Sequence, residues 1–284
     1  MKILPKTISF FWGNETMSWM RYLTLYSFRK LNPNWKIELY YSLSPDIKEM
    51  RWKSREKQDY FYFKGKDYFQ KVKDLDIDII EWTCMTPNGI TFNVDSARKG
   101  DFFKYEKLSK SGGIYSDLDI LFVKSMDEIY PVLNNYDISV CYRNGYWSIG
   151  FMTSKGNNLF FEEVWKNSFS TFSPSSYQSA GIISIKDMLS KKFNVHPNID
   201  CLINNYKDIS IFNLPMNFFY PFTWDNIIKI FKENNDVPED CIGIHWFAGN
   251  KISQQFNNVL TEDTYQTYNN TFCNFVKKII NREK

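Results

Sequence analysis

Lys6–Trp12 is almost wholly apolar or β-prone, and Gly13 closes the run. A strand without a polar face is buried on both sides, as in parallel sheets lying under helices. Thr16–Leu31 reads as a helix, with Thr16 or Asn14 as its candidate cap and Asn32-Pro33 as its stop. Lys36–Tyr41 predicts a second strand. Strand, helix and strand form a βαβ unit, so the sheet starts parallel.

The pattern changes most sharply over residues 94–123. Val94–Lys110 reads as a helix with Ala97, Phe102, Tyr105 and Leu108 near helical spacing, and Gly112-Gly113 stops it. Ile114–Val123 has strand composition yet contains Asp117 and Asp119. Strand alternation would put both acids on one face, roughly 7 Å apart, with Leu118 and Ile120 turned to the core. Two carboxylates on one buried face repel, and a hard cation such as Mg²⁺ or Mn²⁺ relieves that cost while leaving room for phosphate oxygens. Asp-Leu-Asp alone reads first as two solvated acids at a strand end, and only its surroundings change that.

Further along, Ile77–Trp82, Asp137–Tyr142, Ser148–Thr153 and Ile209–Phe212 read as strands, with a hairpin turn at Asn144-Gly145. Leu159–Phe169, Tyr177–Leu189, Asp225–Lys232 and Thr261–Ile280 read as helices, and Ser173–Ser176 as a loop. Asn217–Phe222 is an aromatic loop, and Cys241–Phe247 an apolar run ending at Ala248-Gly249-Asn250. Ser44–Asp76 mixes both charge signs with Tyr60–Phe63 and Tyr68-Phe69, which predicts a peripheral helical excursion with a solvated face. Basic and aromatic side chains there leave an acceptor-facing or membrane-surface patch as the alternative. No repeat or linker interrupts the chain, so residues 1–284 are expected to form one domain.

Composition narrows the function classes. A net charge of +3 lacks the basic footprint of a nucleic-acid binder. The five cysteines (Cys84, Cys141, Cys201, Cys241 and Cys273) are widely spaced and never form Cys-X-X-Cys, so reduced core thiols are expected. The N-terminus lacks a signal-peptide pattern, and no apolar run reaches the roughly 18 residues of a membrane span. These features predict a cytoplasmic location, with peripheral contact at a membrane where glycans are built left open. Aromatics make up 18% of the chain, enough for large flat pockets.

Ala97-Arg98-Lys99-Gly100-Asp101-Phe102-Phe103-Lys104-Tyr105, followed by Gly112-Gly113-Ile114-Tyr115-Ser116-Asp117-Leu118-Asp119, resembles the DXD sugar-binding region of glycosyltransferase family 32. That family includes yeast Och-type mannosyltransferases and bacterial capsule or lipooligosaccharide transferases, and the clostridial glucosylating toxins share the arrangement. The resemblance extends to Pro5–Gly13, Phe219-Tyr220-Pro221 and His245–Lys251. It implies a GT-A fold, a Rossmann-like α/β architecture with a mixed, mainly parallel sheet between helices. It also implies a retaining, metal-dependent hexosyltransferase that uses a nucleotide-sugar, UDP-linked in preference to GDP-linked. The acceptor is expected to be a glycan, a glycoconjugate or another hydroxyl compound, in polysaccharide biosynthesis.

Carried over residue by residue, the resemblance makes Asp119 the direct ligand of Mn²⁺ or Mg²⁺, with Asp117 and His245 completing the metal set. Asp101, Lys104 and Asp117 form the catalytic, sugar-facing group. Phe11, Trp12, Tyr115, Ser116, Asn250 and Lys251 join them in holding the donor, with Trp12 stacked on the base. Gln178 and Ser179 are the acceptor-side candidates. Most relatives carry Arg where this chain has Lys104, and relatives have Ser and Trp where it has Asn250 and Lys251. Trp12 as a core residue, Asp101–Lys104 as an exposed helix ion pair, and His245 within an aromatic cluster are the competing structural readings. No nucleophile is identifiable. A metal-dependent nucleotidyl- or phosphotransferase and an inactive carbohydrate-binding domain are the alternative functions.

Overall fold

The computed structural model describes residues 2–13, 15–43 and 63–282. In chain order the elements are β1 (Thr7–Trp12), α1 (Trp19–Leu31), β2 (Lys36–Tyr41), β3 (Asp78–Glu81), α2 (Ser96–Lys110), β4 (Gly113–Ser116) and β5 (Ile120–Phe122). They continue with α3 (Tyr130–Leu133), β6 (Ile138–Arg143), β7 (Tyr146–Ser154), α4 (Leu159–Thr171), α5 (Ile182–Phe193), α6 (Ile199–Asn205) and β8 (Ile211–Asn213). The chain ends with α7 (Ile228–Phe231), β9 (Gly243–His245), α8 (Lys251–Val259) and α9 (Thr271–Ile280).

Seven strands form one sheet in the order β3-β2-β1-β4-β7-β6-β8, and β5 pairs with β9 in a second sheet. Pairing is parallel from β3 to β4 and between β6 and β8, and antiparallel where β7 meets β4 and β6. This is the mixed, mainly parallel α/β architecture expected. The apolar β1 is buried on both faces, as its composition requires. Phe10 packs with Phe28 of α1 and Phe122 of β5, while Phe11 packs on the other side with Phe103 of α2. Each such phenylalanine contributes about 1.5–3 kcal/mol on burial.

Several predicted boundaries move. Ser18, not Thr16 or Asn14, caps α1, its hydroxyl accepting from the Arg21 backbone N–H. Asn14 lies outside the described residues, as does 44–62 of the predicted excursion, including Tyr60–Tyr62. What is described of that stretch ends in a short 3-10 helix, Phe69–Leu75. Tyr177–Gly181 is a turn, and α5 begins only at Ile182. The predicted C-terminal helix of 261–280 is confined to α9, because Asn270 caps it by accepting from the Cys273 backbone N–H. Helix α8, which the apolar pattern around it concealed, is capped in the same way by Asn250.

The largest correction concerns the two aspartates. Ile114–Val123 is not one strand: β4 ends at Ser116, residues 117–119 form a turn, and β5 starts in the other sheet. The Asp117 N–H donates to the Gly150 carbonyl on the β7 side, at 2.7 Å. The Asp119 carbonyl accepts from the Trp246 N–H next to β9, at 2.8 Å. Leu118 is buried between them, and its carbonyl accepts from the Thr24 hydroxyl of α1. The turn therefore follows from burying Leu118 under α1, not from strand alternation.

Candidate donor and metal site

Helix α2 supplies one wall. Asp95 caps it, accepting from the Arg98 backbone N–H, and positive φ at Gly112 and Gly113 ends it. A side chain at Gly113 would come within 2.8 Å of the Thr7 carbonyl, so the glycine pair lets β4 enter the sheet beside β1. From α2, Lys104 reaches 3.0 Å from Asp101 Oδ1 and 3.3 Å from Asp117 Oδ1. The Lys104 side chain is only 4% exposed, so this is not the solvated surface pair that the sequence also allowed. The Tyr115 hydroxyl donates to Asp117 Oδ1 at 2.6 Å. Burial raises the Asp101 carboxyl pKa, with Lys104 working against it. Burial alone would lower the Lys104 pKa, but the Asp117 and Asp101 carboxylates outweigh it and the net direction is upward.

The second sheet supplies the other wall. Asp119 Oδ2 accepts from the Ala248 N–H at 2.8 Å, and Oδ1 lies 3.2 Å from His245 Nε2. Burial would raise the Asp119 pKa, yet His245 and Arg21 hold it well below the usual carboxylate range. The Phe247 N–H lies 3.3 Å from His245 Nδ1, and Nε2 faces Asp119. Phe247 has φ +48, a strained value for a bulky residue and one directly beside the site. Asp117, Asp119 and His245 each bring one possible ligand atom within 4.8 Å of the others.

Two lobes open around these groups. One is lined by Phe11, Trp12, Glu15, Arg21, Asp101 and Lys104, among others, and it contains Asp117 and Asp119 as well. Its lining carries four carboxylates against two fixed cations, a formal charge of −2 that suits a divalent cation. The other lobe shares Asp101, Asp117 and Asp119 and continues past Tyr146, Gln178, Tyr220, Trp224 and His245. Oxygen ligands with one imidazole are a donor set that Mn²⁺ accepts, and carboxylates alone suit Mg²⁺.

The predicted residues are not all gathered here. Phe11, Trp12, Asp101, Lys104, Tyr115, Asp117, Asp119, Gln178 and His245 line one lobe or both. Trp12 is 5% exposed, with the Arg21 guanidinium 4.9 Å from its ring centroid and its N–H donated to the Glu15 carbonyl. Ser116 is fully buried in β4. The Asn250 side chain is committed to the Ile252 N–H and the Trp224 carbonyl, and Lys251 is exposed at the start of α8. Neither Asn250 nor Lys251 lines the lobes. Ser179 is buried, and its hydroxyl ties the 173–179 loop through the Ser173 and Ser176 backbone.

Four residues were given no role from the sequence, although Arg98 stands in the motif quoted above. Arg21 lines the first lobe from α1. Gly150 and Gly181 let neighbouring groups approach: a Cβ at Gly150 would lie 2.9 Å from Asp117 Oδ2 and 3.3 Å from His245 Nε2, and one at Gly181 2.8 Å from Asp101 Oδ2. Arg98, fully buried, pairs with Asp95 and donates to the Pro174 and Ser176 carbonyls, pinning the loop before Tyr177 and Gln178 to α2. What Arg21, Arg98 and the two glycines do is not written in their local sequence; only contacts distant in the chain reveal it.

No curated protein matches this chain. Among solved structures, the PaToxG glycosyltransferase aligns at 16% identity over 68% of this chain and 70% of that one, with a TM-score of 0.47. GlyE of Streptococcus pneumoniae TIGR4 aligns at 12% identity over 96% of this chain and 64% of that one, with a TM-score of 0.45. The galactosyltransferase LgtC, solved with donor and acceptor sugar analogues, aligns at 8% identity over 92% and 99%, with a TM-score of 0.38. Residues 18–135, less than half of the chain, match the glycosyltransferase sugar-binding region containing the DXD motif, a span that includes Asp101, Lys104, Asp117 and Asp119.

Proposed function

We propose that the chain is a single-domain GT-A glycosyltransferase that moves a sugar from a nucleotide-sugar to a hydroxyl acceptor with retention at the anomeric carbon. The observation that carries this reading is the meeting of Asp117 and Asp119, inside the DXD match, with His245 brought in from β9, where two lobes join. The first lobe, at the carboxyl end of β1, is where an α/β sheet binds a nucleotide. The second is the acceptor side, with Gln178 on its wall.

Asp119, Asp117 and His245 would hold a divalent cation, Mn²⁺ in preference to Mg²⁺ because of the imidazole. When bound, that ion neutralises charge on a departing nucleoside diphosphate. The chain's own residues do the rest. Asp101 and Lys104 present an acceptor and a donor of hydrogen bonds, fixed by their ion pair, to sugar hydroxyls. Asp117, held by Tyr115 and Lys104, places negative charge where an oxocarbenium-like centre develops. Tyr220 and Trp224 limit water on the acceptor side. A UDP donor is preferred over GDP, on the family resemblance alone.

The test is a screen of UDP- and GDP-sugars with Mn²⁺, reading release of nucleoside diphosphate. Release that needs Mn²⁺ and disappears in Asp119→Ala supports the reading. Release of pyrophosphate instead would identify a nucleotidyltransferase, and no turnover of any donor would identify a non-catalytic domain.

A further inference from the structure

At the end of the large sheet away from the DXD turn, a cavity of about 360 Å³ opens where β6 and β8 begin and β7 ends. The pairing of β4 with β7 fixes that placement. Gly113 pairs with Ser154 at this end, and Ser116 with Phe151 at the other, where the Asp117 turn follows. The cavity shares no lining residue with the two lobes described above. Its charge is also reversed. Lys2, Lys155, Lys192 and Lys207 stand against Asp137 and Asp208, a formal +2 where the donor lobe has −2. Glu163, which is not in the lining, takes up Lys192 through both its oxygens at 2.6 and 2.7 Å, and an excess of positive charge remains.

Lys155 carries the argument. Its side chain is 4% exposed, and an ammonium has three N–H donors. Among the described residues its Nζ makes no hydrogen bond, and its carboxylate neighbour, Asp137 Oδ1, lies at 3.8 Å. The other Asp137 oxygen accepts from the Ser210 N–H and hydroxyl, at 2.9 and 2.8 Å. A buried ammonium in that position calls for acceptors that the fold itself does not supply. Helix α4 starts in the same wall, with Asn158 as its cap, and adds the positive end of its dipole. We infer that this cavity binds a phosphate monoester, with the buried Lys155 inside and the exposed Lys2 and Lys207 at the rim. Such a group carries about −1.5 to −2 charge at pH 7 and three acceptor oxygens, which match the excess charge and the open donors. It can arrive free or as a lipid headgroup. Leu159 in the lining and Ile3 beside Lys2 are exposed apolar residues that suit the second source. The inference does not depend on the donor-site reading.

Calorimetry in EDTA tests it with two probes. One is glycerol 3-phosphate; the other is vesicles of phosphatidylcholine with and without phosphatidic acid, which bears the same group on a lipid. The wild type is expected to bind at least one probe, and Lys155→Met to bind it roughly tenfold more weakly. Mn²⁺ affinity, measured separately, should stay unchanged. Binding of glycerol 3-phosphate assigns a free ligand, and binding only of vesicles that contain phosphatidic acid assigns a headgroup; either supports the proposal. No binding of either probe overturns it, as does equal binding by Lys155→Met or a parallel loss of Mn²⁺ affinity. Thermal melting checks that Lys155→Met folds. If it does not, the double variant of the exposed lysines, Lys2→Glu with Lys207→Glu, takes its place: the same loss is expected, and unchanged binding overturns the proposal.

Discussion

The Lys104 ammonium stands 3.3 Å from the Asp117 carboxylate, joining helix α2 to the DXD turn through an ion pair whose cation is 4% exposed. Removing one partner of such a pair leaves the other's charge poorly compensated in a poor solvent. Lys104→Met should therefore cost about 3 kcal/mol of stability, read by denaturant unfolding. Adding Asp101→Asn should recover part of that loss, because it removes one of the two stranded carboxylates.

Asp119 is expected to matter for metal more than for folding. Its side chain accepts from the Ala248 N–H and faces His245, and Asn keeps the size and one accepting oxygen. Asp119→Asn should melt within a few degrees of the wild type while Mn²⁺ affinity falls by about tenfold or more, on the order of 1.4 kcal/mol. Retained Mn²⁺ affinity, read by calorimetry, would remove Asp119 from the ligand set.

Gly150 carries no functional group, yet it borders two of the three candidate ligands. A methyl there would lie 2.9 Å from Asp117 Oδ2 and 3.0 Å from the Tyr220 hydroxyl. Gly150→Ala should push the Asp117 carboxylate aside and lower Mn²⁺ affinity and donor turnover together, by about tenfold, with the cost in stability held to roughly 1–3 kcal/mol. Unchanged affinity would mean that Asp117 moves freely.

Glu38 gives a pH dependence unconnected with the site. Burial would raise its pKa, but Lys107 and Lys36 win and bring it down to about 2 from 4.5. The unfolded chain therefore takes up the proton first as pH falls. The stabilisation is fully present above pH 4.5 and is lost between pH 4.5 and about 2, amounting to at most about 3 kcal/mol. Lys107→Met should lower stability at neutral pH and flatten its decline across that acid window, as followed by urea unfolding at stepped pH.

Arg98 should act at a distance. Its guanidinium holds the Pro174 and Ser176 carbonyls, and the same loop leads to Gln178 in the second lobe. Arg98→Lys keeps the charge but not the fork, so it should raise the acceptor KM several-fold with little change in UDP binding. Equal losses in both would assign Arg98 to general stability.

The parallel start of the sheet was legible because β1 is mostly apolar and β2 follows a helix, a unit that admits few arrangements. The Asn144-Gly145 hairpin was legible because both residues take positive φ, at 51° and 85°. The DXD turn was not, since Leu118 sinks into a core built by α1, β1 and β5, a contact no local pattern announces. The candidate site divides the same way. Asp101, Lys104, Asp117 and Asp119 were visible through a motif, and His245 through its segment. Arg21, Gly150 and Gly181 became visible only when distant elements met. Asn250 and Ser179 resemble site residues in sequence but spend their polar atoms on a helix cap and a loop.

The turn that separates β4 from β5 has one more consequence. Asp117 is tied to the large sheet and Asp119 to the small one, so the gap between the two carboxylates is fixed by how the sheets seat against each other. A chain in which β9 has not yet paired with β5 possesses both acids but not their spacing, and His245 is missing from the group as well. Ion binding would then serve as an inspection step, withheld from a half-assembled molecule and granted only when the last strand is home.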